Sequence, residues 1–421
     1  MGTEGRGRAL LLAYACSPYR GSEPGSGWRR AVETARHFDV WVIAKQQDYE
    51  DDVRRYLAAH PEAPPMRFTF IPLTTLERSL RRVPGLWYLA YNLWHRRAFR
   101  AARELHAEVG FDLAHQVTLS GFREPGYLWK LGVPFVWGPV GGVQNYPWRF
   151  LAQAGLRGAL EEGLRNVGNF IQFRFSPRVG RAARAASVLL AGNSVAQRGF
   201  ERVHHVRSVL MPNVGAVLLR QQPRPRAGKA APLRLLWSGL LEPHKGLRLL
   251  LAALGELPLS LEWELRIVGR GSRERALRRL ARRLGIAERC MWVGWLPHDQ
   301  ALCQYDWADL FVLTSLRDTS PTVLMEALGH GVPVLCLDHQ GAGDVVTPEC
   351  GLKVPVTSPR EVISGIRDAV ALAAREPELL DRLGRGAFER AKEYLWSAQG
   401  DRIARLYVEA RARSHREDAG E

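Results

Sequence analysis

The sequence predicts an α/β protein built from two Rossmann-like, doubly wound domains. Three observations carry this expectation. At 421 residues the chain is longer than one hydrophobic core covers, so two domains of about 200 residues each are expected. The order strand, glycine loop, helix, strand opens the chain and begins again after residue 232. Between the two runs lies QQPRPRAGKAAP (221–232), polar, proline-rich and without periodicity, as a linker is. The expected division is an N-terminal domain over 1–212, a linker over 213–232 and a C-terminal domain over 233–395, with a helix over 396–421 completing the first domain.

The N-terminal elements follow in order. Residues 9–15 are a continuous apolar run of strand length. GSEPGSGW (21–28) is expected as a loop leading into a helix over 28–37, with Gly25, Ser26 and Gly27 letting a ligand approach the helix N-terminus. The loop is not GxGxxG, and a simple tight turn reads nearly as well. Strands are expected over 40–44 and 68–72. Residues 75–106 are then basic, aromatic and helical, with Arg78, Arg81, Arg82, Arg96, Arg97, Arg100 and Arg103 among Leu86, Trp87, Tyr88, Tyr91 and Trp94. Such a segment suits an anionic membrane surface, and packed core helices with solvated arginine faces read similarly. Pro84 and Gly85 break it in two. FDLAHQV (111–117) is a strand whose polar end carries His115, where open α/β sheets place ligands. The strand over 133–137 runs into GPVGG, and Gly141 and Gly142 mark a backbone bent close to something. Residues 155–184 are arginine-rich and helical, followed by strands at 187–191 and 209–211.

In the second half, the strand over 233–238 leads to GLLEPHKG, with Gly239 at the turn and Lys245 at a helix entrance. An ammonium there reaches a diphosphate as a point charge. The strand over 265–268 ends at Gly269, a basic helix spans 274–284, and the strand over 291–293 ends at Gly294. LFVLTSLRDTSPTVLMEALGHGVPVLCL (310–337) then reads as strand, polar loop, helix and strand. Backbone N–H groups and the positive end of a helix dipole make that loop a cradle for phosphate, with Thr319, Ser320 and Thr322 lining it. Asp318 and Glu326 bracket the cradle, and carboxylates there suit sugar or ribose hydroxyls. GAGD (341–344) is expected as a further glycine turn at a strand end.

Composition narrows the classes. With 46% hydrophobic and 24% charged residues the chain is globular rather than disordered. The net charge of +16 sits mainly in residues 1–212, where 29 Lys+Arg face 17 Asp+Glu. An anionic surface or ligand suits that half, and plain solubility accounts for it as well. Five scattered cysteines without a CxxC pair indicate free thiols in a reducing cytoplasm. No run approaches the ~20 apolar residues of a spanning helix. Arg6 and Arg8 before ALLLAYAC imitate a signal peptide, but the glycine loop and helix behind them suit a first core strand. The expected place is therefore the cytoplasm, with peripheral attachment at the inner face of the membrane.

Taken together, GSEPGSGW, DLAHQ, GPVGG, PNVG, GLLEPHKG, IVGRG, WVGWLP, LRDTSPTVLMEALGHGVPV and the late LWS resemble the retaining nucleotide-sugar glycosyltransferases of family 4, which have the GT-B fold. The resemblance implies two domains facing across a cleft, the donor on the C-terminal one and the acceptor on the N-terminal one. It implies that Glu326 binds the donor ribose, Asp318 the donor sugar or its phosphate, Lys245 the diphosphate, and His115 a group near the reacting sugar. No cofactor is implied beyond a UDP- or GDP-type nucleotide-sugar as co-substrate, and no metal. The implied partners are that donor, a glycan or lipid-linked acceptor and an anionic membrane surface, with no nucleic acid. Departures are visible too. Leu240 stands where the family's diphosphate arginine stands, Val117 replaces a second histidine, and DTSP replaces the EGFG loop, with Asp318 for a glutamate. A non-catalytic sugar-binding relative and a dinucleotide-dependent oxidoreductase are the competing readings. The latter needs a GxGxxG that neither first loop supplies.

Overall fold

The computed structural model describes residues 6–83, 85–218 and 232–418. Pro84, the linker stretch 219–231 and the last three residues of the expected helix 396–421 lie outside them. The described chain forms two compact units. One comprises Met1–Val143, Phe170–Asn213 and Trp396–Glu421, the other Gln144–Asn169 and Val214–Leu395. The segment 144–169, expected with the first domain from chain order, thus groups with the second. The reason is packing, because Tyr146, Phe150 and Ala154 are buried among Leu241, Leu247 and Leu250.

The first unit is organised on a seven-stranded parallel sheet. Its strands are β1 (Arg8–Ala13), β2 (Asp39–Lys45), β3 (Met66–Ile71), β4 (Leu113–Thr118), β5 (Phe135–Val140), β6 (Val188–Ala191) and β7 (Val209–Leu210), in the order β3-β2-β1-β4-β5-β6-β7. The continuous apolar run of β1 follows from coverage of both faces. Leu10 and Leu12 enter one core, whereas Ala9, Leu11 and Ala13 enter the other. The C-terminal helix Trp396–Asp418 closes the second of these faces with Ile403, Tyr407 and Ala410, beside Trp28 and Ala31 of the helix Ser22–Ala35. Gly25, Ser26 and Gly27 are not in a loop, since the helix begins at Ser22 and contains all three. A Cβ on Gly27 would run into the Ala15 carbonyl, so the glycine is there to seat the helix against the chain leaving β1.

The aromatic basic segment forms two helices, Thr75–Arg82 and Trp87–Val109. The first has a capping box between Thr74 and Glu77. Tyr91 and Trp94, expected at lipid headgroups, are buried in the core against Tyr14, whose ring centroid is 4.8 Å from each. Leu76, Val83, Leu86, Tyr88 and Leu89 are the large apolar side chains this segment leaves exposed among the described residues. Among the described residues, no helix is long and apolar enough to cross a membrane.

The second unit repeats the design with six parallel strands. They are β8 (Leu233–Ser238), β9 (Trp263–Val268), β10 (Cys290–Gly294), β11 (Leu310–Leu313), β12 (Val334–Asp338) and β13 (Gly351–Pro355), in the order β10-β9-β8-β11-β12-β13. Strand ends are tied to one another by backbone bonds, Gly239 N–H to Val268 O at 3.0 Å and Gly269 N–H to Gly294 O at 2.7 Å. Gly269 has φ +135°, and a Cβ on it would collide with the Gly239 carbonyl. Residues 341–344, expected as a glycine turn, instead belong to a short helix, Gln340–Val345.

Candidate functional site

In each sheet the connections leave the first strand toward one edge and later return beside it on the other. The reversal falls between β1 and β4 in the first unit and between β8 and β11 in the second. Loops leaving two neighbouring strands in opposite directions open a crevice at their carboxyl ends, where ligands of such sheets bind.

At the second unit's reversal, the loop after β8 delivers Lys245 and the loop after β11 delivers Asp318, and the two form an ion pair. The loops are laced together at the backbone. Thr314 Oγ1 donates to Lys245 O at 2.9 Å, Leu316 N–H to His244 O at 2.8 Å, and Trp237 Nε1 to Thr314 Oγ1 at 3.1 Å. The loop over 315–321 is held from outside as well. Gln340 Oε1 accepts from Asp318 N–H at 2.7 Å, and its Nε2 donates to Asn145 O at 3.0 Å and Leu316 O at 3.3 Å. Gln144 Nε2 donates to Thr319 Oγ1. Arg317 reaches both carboxylate oxygens of Glu162, at 2.9 and 3.0 Å, in a bidentate pair. Beside that pair, burial and the Arg317 and Lys245 charges push the His244 imidazole down to about 4.

Pro321 precedes the helix Thr322–Gly329 without a side-chain cap, so Thr322 is its first residue and Ser320 lies just outside it. On that helix Glu326 Oε2 accepts from the Tyr305 hydroxyl at 2.9 Å, and His298 Nδ1 stands 3.7 Å from Oε1. Burial pushes the Glu326 carboxyl above the usual carboxylate range, opposed by the Tyr305 hydrogen bond and the nearby His298. Tyr305 also reaches Val323 O, at 3.2 Å, and so ties Glu326 to the first turn of its own helix. Lys245, Asp318, Thr319, Ser320, Thr322, Glu326 and Gly239 are therefore gathered along one sheet edge, with Gly269 on the neighbouring strand end.

His115 is placed elsewhere. β4 extends to Thr118, so His115 is mid-strand rather than at its end, and it is fully buried. Its Nε2 donates to Gly138 O at 2.7 Å, leaving Nδ1 to accept from the Tyr407 hydroxyl. Burial and the Arg30 charge, against the Gly138 bond, hold the ring down at about 3. It is a neutral tie between the sheet and the C-terminal helix, not a group that reaches a sugar.

What occupies the first unit's reversal is Glu23, whose Oε1 accepts from Ser120 N–H at 3.1 Å and from the Ser120 hydroxyl. Burial raises this carboxyl, with bonds from Ser120 and Asn213 opposing. Ala15 and Thr118 bond each other beside it, at 3.1 and 3.0 Å. Gly141 completes the same edge by donating to Ser120 O at 2.6 Å and accepting from Phe122 N–H at 3.1 Å, and Gly142 follows with φ +78°. Glu23 was visible as the one acid in GSEPGSGW. Gln144, Glu162, Tyr305, Arg317 and Gln340 carried no comparable sequence signal.

Two all-parallel sheets in one chain, each with its polar residues gathered at a strand-order reversal, define the GT-B architecture. Residues 221–390 match the family model "Glycosyl transferases group 1". The chain is similar to the colanic acid biosynthesis glycosyltransferase WcaL of Escherichia coli, 29% identical over 160 residues, which are 36% of this chain and 39% of WcaL. It is also similar to glycogen synthase of Mycobacterium tuberculosis, 30% identical over 191 residues, 45% of this chain and 44% of the relative. The matched stretches thus span less than half the length of these relatives. Among solved structures, HepE of Anabaena in complex with UDP superposes with a TM-score of 0.60 at 17% identity, over 96% of this chain and 100% of HepE, which shows the shared fold.

Proposed function

We propose that this chain is a glycosyltransferase that moves a sugar from a UDP- or GDP-type nucleotide-sugar to a glycan, lipid-linked or small-molecule acceptor, with retention at the anomeric carbon. The observation that carries the reading is the meeting of Lys245 and Asp318 at the β8–β11 reversal, with Glu326 tied to the same edge. Glu326 would accept hydrogen bonds from the ribose hydroxyls and Asp318 from a sugar hydroxyl. Thr319, Ser320 and Thr322 would offer hydroxyl and backbone donors to the diphosphate. Lys245 would stabilise the charge that develops on the departing diphosphate, aided by the uncapped N–H groups of the helix Thr322–Gly329. The acceptor hydroxyl would attack from the face the diphosphate leaves, through an oxocarbenium-like transition state, its proton passing to the departing diphosphate oxygen as the sugar–diphosphate bond breaks, and no metal is assigned a part. In the first unit, Glu23 replaces His115 as the polar group offered to an acceptor.

The test is a nucleotide-sugar panel scored by thermal shift and then by transfer. Ligands that bind the native state raise its melting temperature. A rise with UDP- or GDP-sugars, transfer retained in EDTA, and loss of transfer in folded Lys245→Ala and Glu326→Ala are expected. Full activity of both variants would overturn the reading. One observation favours a second reading, a non-catalytic nucleotide-sugar binder, because the Lys245 ammonium is already engaged by Asp318. A thermal shift without turnover on any acceptor would select it.

A further inference from the structure

The helix Gly155–Phe175 has its amphipathic order inverted. Its buried side is polar apart from Phe173: Glu162 holds Arg317, Asn166 exchanges bonds of 2.8 and 3.0 Å with the Tyr146 backbone, and Asn169 donates to Gln144 O at 3.3 Å. Its exposed side is apolar. Leu156, Leu160, Leu164 and Val167, continued by Ile171 and Phe175, recur at steps of three and four residues and are between 49% and 96% exposed. That spacing keeps all six on one stripe of the helix. Trp148, 57% exposed, lies beside Gly163 and extends the patch. Scattered apolar side chains on a surface are ordinary, whereas a contiguous stripe this long marks an interaction face.

We propose that this stripe docks the chain on an anionic lipid surface. The occupant follows from charge and area. Arg149, Arg157 and Arg174 are exposed around the stripe, and the chain carries +16. Basic residues beside an apolar helix face, with a tryptophan at its rim, match the interfacial region of an anionic bilayer. A second copy of a +16 chain fits less well. A 21-residue helix offers a footprint of roughly 300 Å², against the ~800 Å² per partner of a stable interface. The docking face is thus the helix at 155–175 rather than the 75–106 segment, whose Tyr91 and Trp94 are in the core. Because Glu162 holds the residue next to Asp318, the docked helix also carries the anchor of the loop over 315–321.

The experiment is co-sedimentation of the full chain with phosphatidylcholine vesicles, with and without phosphatidylglycerol. The native chain is expected to bind the mixed vesicles at least about tenfold more tightly, and Leu160→Ser/Leu164→Ser/Val167→Ser to lose about tenfold of that affinity. Leu156→Ser, at a side chain in open solvent, cannot disturb folding and should weaken binding several-fold by itself. Arg157→Glu/Arg174→Glu should abolish the preference for phosphatidylglycerol. Unchanged binding in both serine variants would overturn the proposal. So would a native dimer in size-exclusion chromatography that Leu160→Ser/Leu164→Ser/Val167→Ser converts to monomer, which would make the stripe an interface between copies.

Discussion

Lys245 and Asp318 neutralise each other across the β8–β11 reversal, so the cation expected for a diphosphate and the carboxylate expected for a sugar hydroxyl are bound together. A donor that takes both must separate them, or insert its own groups between them. Asp318→Asn removes the competitor without removing the hydrogen-bonding shape. The pair is partly exposed, at 20% and 19% of each side chain, and worth about 1 kcal/mol once solvent screening is allowed for. UDP or GDP alone should therefore bind Asp318→Asn about fivefold more tightly by calorimetry. Transfer should fall by roughly 10²-fold or more, because the sugar loses its charged acceptor. Opposite signs on the two readouts distinguish this from a general loss of structure.

Tyr305 is the group that keeps Glu326 usable. Its hydroxyl is the neighbouring donor that favours the ionised carboxylate against the cost of burial. Tyr305→Phe should raise the Glu326 carboxyl further and loosen its rotamer. Donor KM is expected to rise by roughly five- to thirtyfold, the effect of losing one hydrogen bond to a charged group, with kcat changed much less. A Tyr305→Phe enzyme with unaltered KM would place the ribose away from Glu326.

Local pattern in the sequence specifies the strands directly. Continuous apolar runs such as 9–15 and 310–314 were readable as strands because both faces of a parallel sheet are covered. Lys245, Asp318 and Glu326 stood out because each sits beside a glycine or loop signature at a strand end. The helix start at Ser22 is masked in the sequence because Gly25 and Gly27 are poor helix formers, yet the Arg20 carbonyl beside Gly25 and the Ala15 carbonyl beside Gly27 leave no room for a Cβ. His115 looked like a site residue because nothing local reveals that Tyr407, 292 positions away, occupies its Nδ1. Gln340 was invisible for the same reason, its partners Asn145 and Asp318 coming from remote segments.

Gln340 spans that separation with one amide, binding Asp318 N–H, Asn145 O and Leu316 O together. Gln340→Ala leaves a backbone donor and two acceptors without their partner, at a cost of about 1–3 kcal/mol. Amide exchange over 315–321 should accelerate in the variant while exchange in β11 and β12 stays slow, since the strands keep their ladder. Donor KM should rise with it. Uniform acceleration across the second unit would instead make Gln340 a determinant of global stability.

Two fully buried histidines, His95 and His115, and the half-buried His244 weaken the fold in acid. Burial holds His95 and His115 at about 3 and His244 at about 4, all below the ordinary 6.5. Each is neutral in the native chain and takes a proton on unfolding once the pH drops below 6.5, so the unfolded state binds more protons in that window. Stability is then fully present above pH 6.5 and falls as the pH is lowered from 6.5 to about 4 for His244 and to about 3 for His95 and His115, by up to about 1.4 kcal/mol per pH unit for each histidine. His115→Gln keeps a donor for Gly138 O but removes one titrating ring. Urea denaturation at pH 5 and pH 7 should show the pH dependence reduced by that one increment, on top of a loss of stability at pH 7 from the weakened Tyr407 contact. Because His115 is bonded at both nitrogens inside the core, transfer at neutral pH should stay within about threefold of native, whereas removing a true catalytic acid or base costs about 10²- to 10⁴-fold. A loss of that larger size in a folded His115→Gln chain would return His115 to the reacting sugar.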